Sequence, residues 1–284
     1  MIGTSKIKFG FLLILIYSFS YGAAHSDHLP LWEIHAGVAA IQVPHYRGSE
    51  SEHSYAIPFP GIIYRGEKLK ASEDGVKGIL YSGDRHKLDI SLASGLPASS
   101  DENDARAGMP RLEPTIEIGP SVISELWHSN EKDMGVWLNL PLRMAFSFDD
   151  LDVSDKGLIF SPFIKWQLKE NNWKWGVALG VSYADENYHN YFYEVDGQYE
   201  TATRPEYHAS SGYSGTRITL SATKRFKQSW FAAFARFEDL RNTVFEDSPL
   251  VERNDYMVFG LVYTYLIAQS EESSHHSEHI INGD

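Results

Sequence analysis

The side chains best placed to do chemistry are charged residues set at even intervals in otherwise apolar stretches. Glu113 and Glu117 stand four residues apart in LEPTIEIG, Arg143 lies in LPLRMAF, and Arg217 and Arg225 flank the run RITLSATKR. If these stretches are neighbouring strands, about 4.8 Å apart, carboxylate and guanidinium groups meet across the ladder. They would then either pair with one another and stiffen the interior, or form a charged constriction that selects small solutes. Both readings stand at this stage.

No other constellation competes with this one. The chain has 12 histidines, but His35, His86, His128, His189 and His208 are scattered at or near segment ends, and catalytic partners must converge in space. The segment SGYSG at 211–215 is not a GxSxG nucleophile elbow. His275, His276 and His279 cluster around Glu278 near the C-terminus, but a polar acidic tail is the simpler reading of that composition. We therefore expect no catalytic residue, no cofactor-binding residue, no cofactor and no metal site.

The elements that would position the charges alternate with period two. In DMGVWLNLPLRMAFSF, residues 133–148, the even positions from Met134 to Phe148 are all apolar, and the odd ones carry Asn139, Arg143, Ala145 and Ser147. Strands of soluble sandwiches run to about 5–6 residues, whereas a tilted membrane-crossing strand needs about 9–11. Residues 112–127, 172–184 and 215–226 repeat the pattern, each with one apolar and one small or polar face. Such segments suit lipid outside and a polar lumen inside.

The expected fold class is all-β, a transmembrane antiparallel up-and-down barrel of about 12 strands (10–12). Its strands are expected at 32–43, 54–65, 76–82, 85–94, 112–127, 133–148, 157–169, 173–184, 190–196, 213–226, 229–238 and 254–267. Trp32, Tyr64, Trp127, Trp173, Tyr183, Trp230, Tyr263 and Tyr265 fall near strand ends, as interfacial girdles require. Gly119 and Pro120 in mid-strand suggest a bulge or bend. Closure also accounts for a chain with no cysteine, since a barrel with every backbone group paired needs no covalent staple.

The first 24 residues place Lys6 and Lys8 before an apolar run and small residues after it, the pattern of a cleaved secretory signal. The expected organisation is residues 1–24 as signal, 25–267 as barrel and 268–284 as a polar, disordered tail. Without the two signal lysines, 23 basic residues face 38 acidic ones, so the net charge moves from -13 to -15. That balance argues against nucleic acid as a partner, and the expected barrel would have outer-membrane lipid as its principal one.

Four expected strands before residue 95 would put the connection 95–111, with Arg106, Met109 and Pro110, at the periplasmic end. There it would form a contact surface for periplasmic proteins. A miscount of one would place it outside, or it could fold inward.

The segments PHYRGS (44–49), PFPGIIYRG (58–66), ARAGMP (105–110), IEIGPS (116–121) and LPLRMAFS (140–147), in this order between about Trp32 and Tyr265, resemble the MipA/OmpV family. The resemblance implies an outer-membrane barrel of a Gram-negative bacterium. For the family's best-known member it implies a scaffold between a periplasmic lytic transglycosylase and a murein synthase. The chain departs from the usual barrel ending, because VYTYL at 262–266 is followed by the polar tail. A small-solute channel and a surface adhesin or receptor, with 183–213 as its outward loop, remain open as alternatives.

Overall fold

The computed structural model describes residues 30–66, 69–72, 75–95, 103–131, 133–149 and 152–272. The expected signal segment and most of the expected tail lie outside them. The strands are β1 Trp32–Pro44, β2 Glu52–Arg65, β3 Leu69–Ser72, β4 Gly75–Ser82, β5 His86–Gly95, β6 Thr115–His128 and β7 Met134–Asp149. They continue with β8 Asp152–Phe160, β9 Phe163–Glu170, β10 Trp173–Ala184, β11 Gly212–Arg225, β12 Ser229–Asp239 and β13 Asp255–Gln269. One helix, α1 Glu186–Tyr193, lies between β10 and β11.

All strands join one antiparallel sheet that closes on itself, β10 pairing with β11 and β1 with both β13 and β2. β8 and β9 are two halves of one wall strand. Leu142 of β7 faces Phe160 and Asn139 faces Phe163, so the register runs unbroken past Ser161 and Pro162. Thirteen segments thus make twelve wall strands, the number expected. The membership differs in two places that cancel: β3 was not foreseen, and 190–196 is largely helix rather than strand.

The helix has a local cause. Asp185 is its N-cap, its carboxylate accepting from the Tyr188 amide at 2.9 Å and from the Leu158 amide at 2.9 Å. Gly157 (φ 100°) makes room, because a Cβ there would lie 2.1 Å from that carboxylate. The strand expected at 190–196 gives way to this capped helix.

Alternation survives intact in the wall. Along β7 every odd residue from Gly135 to Ser147 is buried, and even ones such as Leu142 and Met144 are exposed. Val38, Ile62, Leu179, Leu220 and Leu261 are each about half exposed or more on the outer surface, an apolar band that only lipid can cover. Trp32, Trp127, Tyr183, Tyr263 and Tyr265 face outward near its margins, but Trp230 is buried and turned inward. Leu112, expected on the lipid face, is buried before β6 begins.

Gly119 and Pro120 make no bulge. The β6–β7 register is the same on either side of them, and a Cβ on Gly119 would lie 2.0 Å from the Leu142 carbonyl oxygen. The glycine permits a close backbone approach there. The register shift in β6 comes later, between Glu125 and Trp127.

β1 begins and β13 ends at the same end of the barrel, where the connections 66–68, 83–85, 129–133, 171–172 and 226–228 are short. Asn171 and Asn172 (φ 49° and 64°) form one such two-residue turn. The long connections 45–51, 96–114, 185–211 and 240–254 share the opposite end. Short turns belong to the periplasmic side of such barrels and long loops to the outside. The extra strand β3 therefore corrects the expected side of 95–111, which lies with the outer loops. Single cysteines introduced at Asp104 and Gln198 should react with a membrane-impermeant reagent in intact cells, and one at Lys227 only after permeabilisation.

Candidate functional site

The lumen and its outer mouth hold the charged residues in three layers. Nearest the termini, Glu33 is 2 % exposed and accepts from Arg65 Nη2 at 2.8 Å and Arg225 Nη2 at 2.6 Å, while His35 Nε2 lies 2.9 Å from its second oxygen. Arg65 also donates to the Pro30 carbonyl at 2.7 Å. One carboxylate thus ties together strands β1, β2 and β11, the last of them three strands away around the wall.

The middle layer joins the wall to the outer connections. Arg143 Nε donates to Glu117 Oε2 at 2.9 Å, the two facing inward from adjacent strands β7 and β6. Arg143 Nη1 reaches Ser91 Oγ of β5 at 3.3 Å. The other oxygen of Glu117 accepts from Tyr188 Oη at 2.8 Å, so helix α1 hangs on the lumenal ion pair. Charge-assisted bonds of this kind are among the strong ones.

The outer layer is a lid. Tyr46, Met109, Leu112, Tyr193, Val195, Leu240, Phe245 and Leu250 form one buried cluster drawn from four separate outer connections, with Tyr256 and Val258 of β13 beneath. The rings of Tyr193 and Phe245 stack at 3.8 Å and 8°. Arginines bind the loops by their carbonyls: Arg106 donates to Phe192 at 3.0 Å and Pro110 at 3.3 Å, and Arg204 to Ala105 at 2.9 Å and Ala107 at 3.0 Å. Arg47 fixes the lid to the wall through Glu238 of β12 at 2.9 Å and the Ser214 carbonyl of β11 at 2.6 Å. Burial lowers the proton affinity of the Arg106 guanidinium and pushes the Tyr191 hydroxyl up to about 12.

The expected residues divide accordingly. Glu117 and Arg143 face the lumen and pair. Arg217 also faces it, its guanidinium 5.8 Å from the centre of the Phe163 ring. Arg225 sits at the terminal-end mouth on Glu33. Glu113 is a correction: it precedes β6, pairs with Arg111 by side chain, and accepts Tyr191 Oη on its carbonyl at 2.8 Å, so it belongs to the outer mouth and not the wall. Arg106 and Met109 are likewise corrected, being buried in the lid while Pro110 is exposed beside them at the outer end.

The residues not foreseen are Glu33, His35, Arg47, Ser91, Tyr188 and Glu238. Glu33 and His35 were readable, since they share the non-apolar parity of WEIHAGV. Tyr188 lies in the segment 183–213, read as an outward loop, where no alternation marks it. Among the described residues no group of three or more His, Asp or Glu side chains is arranged to hold a metal ion.

A closed antiparallel wall with an apolar outer belt, a charge-paired lumen and short turns beside both termini defines an outer-membrane β-barrel. The family model of MltA-interacting protein MipA matches residues 36–267, and the chain belongs to that family. YiaT of Escherichia coli (strain K12), named as an outer membrane protein, is 25% identical over 80% of this chain and 87% of its own. Among solved structures, an outer membrane channel from Pseudomonas putida F1 aligns with a TM-score of 0.44 at 11% identity, covering 87% of this chain and 100% of that one. A bacterial polysaccharide outer membrane secretin aligns at 0.41 and 8% identity, covering 83% and 99%.

Two predictions follow from the layers. Replacing Arg143 by alanine strands a buried carboxylate and should cost about 3–5 kcal/mol, whereas Tyr188→Phe should cost about 1.5–3 kcal/mol. Chemical unfolding of barrels refolded in lipid vesicles measures both. The second concerns His189, fully buried against Phe245 with Nδ1 2.6 Å from the Ser210 carbonyl oxygen. Burial lowers its proton affinity against the opposing pull of that carbonyl, with Arg47 lowering it and Asp185 raising it. A neutral folded histidine contributes fully above its ordinary value of about 6.5, and the contribution is lost as pH falls below it. Protease cleavage within 185–211 should therefore rise between about pH 7 and pH 5, and the rise should vanish in His189→Asn.

Proposed function

We propose that this outer-membrane protein acts as a closed barrel that anchors murein-processing enzymes at its periplasmic end, in line with the family's description as MltA-interacting. The observation that carries the reading is closure: the outer mouth holds a packed hydrophobic lid, and Glu33 and Glu117 are satisfied by arginines of the wall. A barrel so filled serves better as a fixed platform than as an open pore. The surface available to a partner is the short-turn rim, with Arg85, Asn130, Asn172 and Lys227, rather than the 95–111 connection. Lytic transglycosylase and murein synthase are the partners proposed for that rim, and export by a cleaved signal would bring the chain there.

One observation favours a second reading, a gated conduit for small anions. In a chain of net charge -13, Lys87 of β5, Lys165 and Lys169 of β9 and Lys174 of β10 all lie at inward positions. Such a lumen would attract anions once the lid opened.

Two measurements separate the readings. The anchoring reading expects no single-channel conductance in planar bilayers, with or without proteolytic trimming of the lid, and capture of a lytic transglycosylase from solubilised envelopes by the tagged barrel. That capture should weaken at least tenfold when residues 129–131 and 227 are all changed to alanine. Anion-selective conductance after trimming, with no capture, would replace it by the conduit.

A further inference from the structure

Between β2 and β5 the described strands do not close the wall across its full height. β3 is only Leu69–Ser72, and it meets β2 at Tyr64 and Arg65 alone. β4 meets β5 from Gly78 to Ser82, opposite Ile90 to Lys87. Above that short hairpin, β2 from Glu52 to Ile63 and β5 from Ser91 to Gly95 face each other across a gap, and among the described residues no strand pairs with either edge there. Both strands remain fully paired on their other sides, β2 with β1 and β5 with β6.

The sequence of β2 is adapted to a free edge. The Arg65 amide donates to Leu31 at 2.8 Å and the His45 amide to Ser51 at 3.0 Å, one beyond each end of the unbroken β1–β2 register. Odd-numbered residues of β2 therefore bond to β1, and the even-numbered ones present their backbone groups to the gap. Those even positions read Glu52, Ser54, Ala56, Pro58, Pro60 and Ile62. The outward face is polar towards the outer mouth and apolar deeper in, continuous with the lipid-facing band. Within the apolar part, Pro58 and Pro60 have no N–H to leave bare in hydrocarbon. The same two prolines spoil the edge as a template for another strand.

The inner side of the gap is apolar along β2, while on β5 Ser91 holds Arg143 at its lower margin. Phe59 points inward and lies over Gly37 and Gly61, whose missing side chains make room for its ring. Ile57 stands next to it on the same face, and Ala93 faces inward from β5. We propose that this gap is a lateral window in the outer half of the wall, occupied by an acyl chain of the surrounding membrane lipid. Its frame is Ile57, Pro58, Phe59 and Pro60 on one side and Leu92 and Ala93 on the other. Its chemistry suits hydrocarbon on the β2 side, where that edge has shed donors and carries no charged residue between Ser54 and Ile63.

The cysteine-free chain allows a direct test. Single cysteines replace Phe59 in the window, Val38 on the lipid-facing wall, and Ala232, an inward residue of β12 paired on both sides. Each is labelled with bimane in barrels refolded into phosphatidylcholine vesicles, with folding confirmed by heat-modifiable gel mobility. Phospholipid carrying a nitroxide at mid-chain should quench the label at 59 to within about twofold of that at 38, and leave 232 unquenched. Quenching at 59 by aqueous iodide alone would overturn the proposal, since the gap would then be a water-filled side port. Shielding from both quenchers would overturn it too, because protein would be covering the edge. If Phe59→Cys does not fold, Ile57→Cys supplies the same readout. As a second arm, Pro58→Ala with Pro60→Ala should lower stability in lipid, because two new N–H groups meet hydrocarbon. A gain in stability would mean that a strand already pairs there, and would also overturn the proposal.

Discussion

Hydrocarbon offers no partner to a peptide N–H or C=O, and nearly every feature of this protein answers to that constraint. The sheet must close, so β1 meets β13 although the two come from opposite ends of the described chain. Turning one face of each strand to lipid sends the other face inward, and period two then fixes which residues line the lumen. A wall saturated with backbone bonds holds its shape without cysteine. Along the upper edge of β2, where described pairing on the side away from β1 stops, two consecutive outward positions are proline. That coincidence is what the constraint predicts of an edge that lipid must tolerate.

The interior poses the complementary problem. Charged side chains brought into a narrow lumen lose much of their hydration, and they are tolerable only where partners are in reach. Glu33 meets two arginines and a histidine, and Glu117 meets an arginine and a tyrosine. A buried pair is weak evidence of net stabilisation, since an apolar pair could fill the space as well. What it does supply is uniqueness: Glu117 accepts Tyr188 from the outer connection only when α1 lies in one orientation. The mouth is thus positioned by the wall rather than merely resting on it.

The wall was legible in the sequence because its signal repeats. Alternation along Asp133–Phe148 identifies both faces of β7, and adjacency in the chain suffices to bring Glu117 against Arg143. The failures have separate physical origins. β3 is too short for alternation to register, and omitting it reversed the side assigned to 95–111. The helix escapes an alternation-based reading because its signal is a single local cap at Asp185. Glu33 was passed over as a partner of Arg225 because the two are brought together only by closure of the ring, which local pattern does not encode. Lid contacts such as Tyr193 on Phe245 join loops with no periodicity at all, so nothing in the chain marks them beforehand.

Wall and lid therefore differ in how they would yield. Opening the wall breaks a ladder in which each lost bond leaves a donor and an acceptor in lipid, so it separates only as a whole. The lid is held internally by its own core and by arginines on its carbonyls, and its polar ties to the wall fall at the outer strand ends: Tyr188 on Glu117, Arg47 on Glu238 and Ser214, Asp185 on Leu158, Val244 on Tyr213 and Arg253 on Glu52. All of these groups lie near the outer mouth, where released partners can regain water. Local opening therefore costs far less than unfolding, and it draws on the low-stability end of the structure. The buried His189 sits inside that unit, so its protonation would bear on the lid. A barrel built this way can change the state of its outer mouth while its periplasmic rim stays fixed.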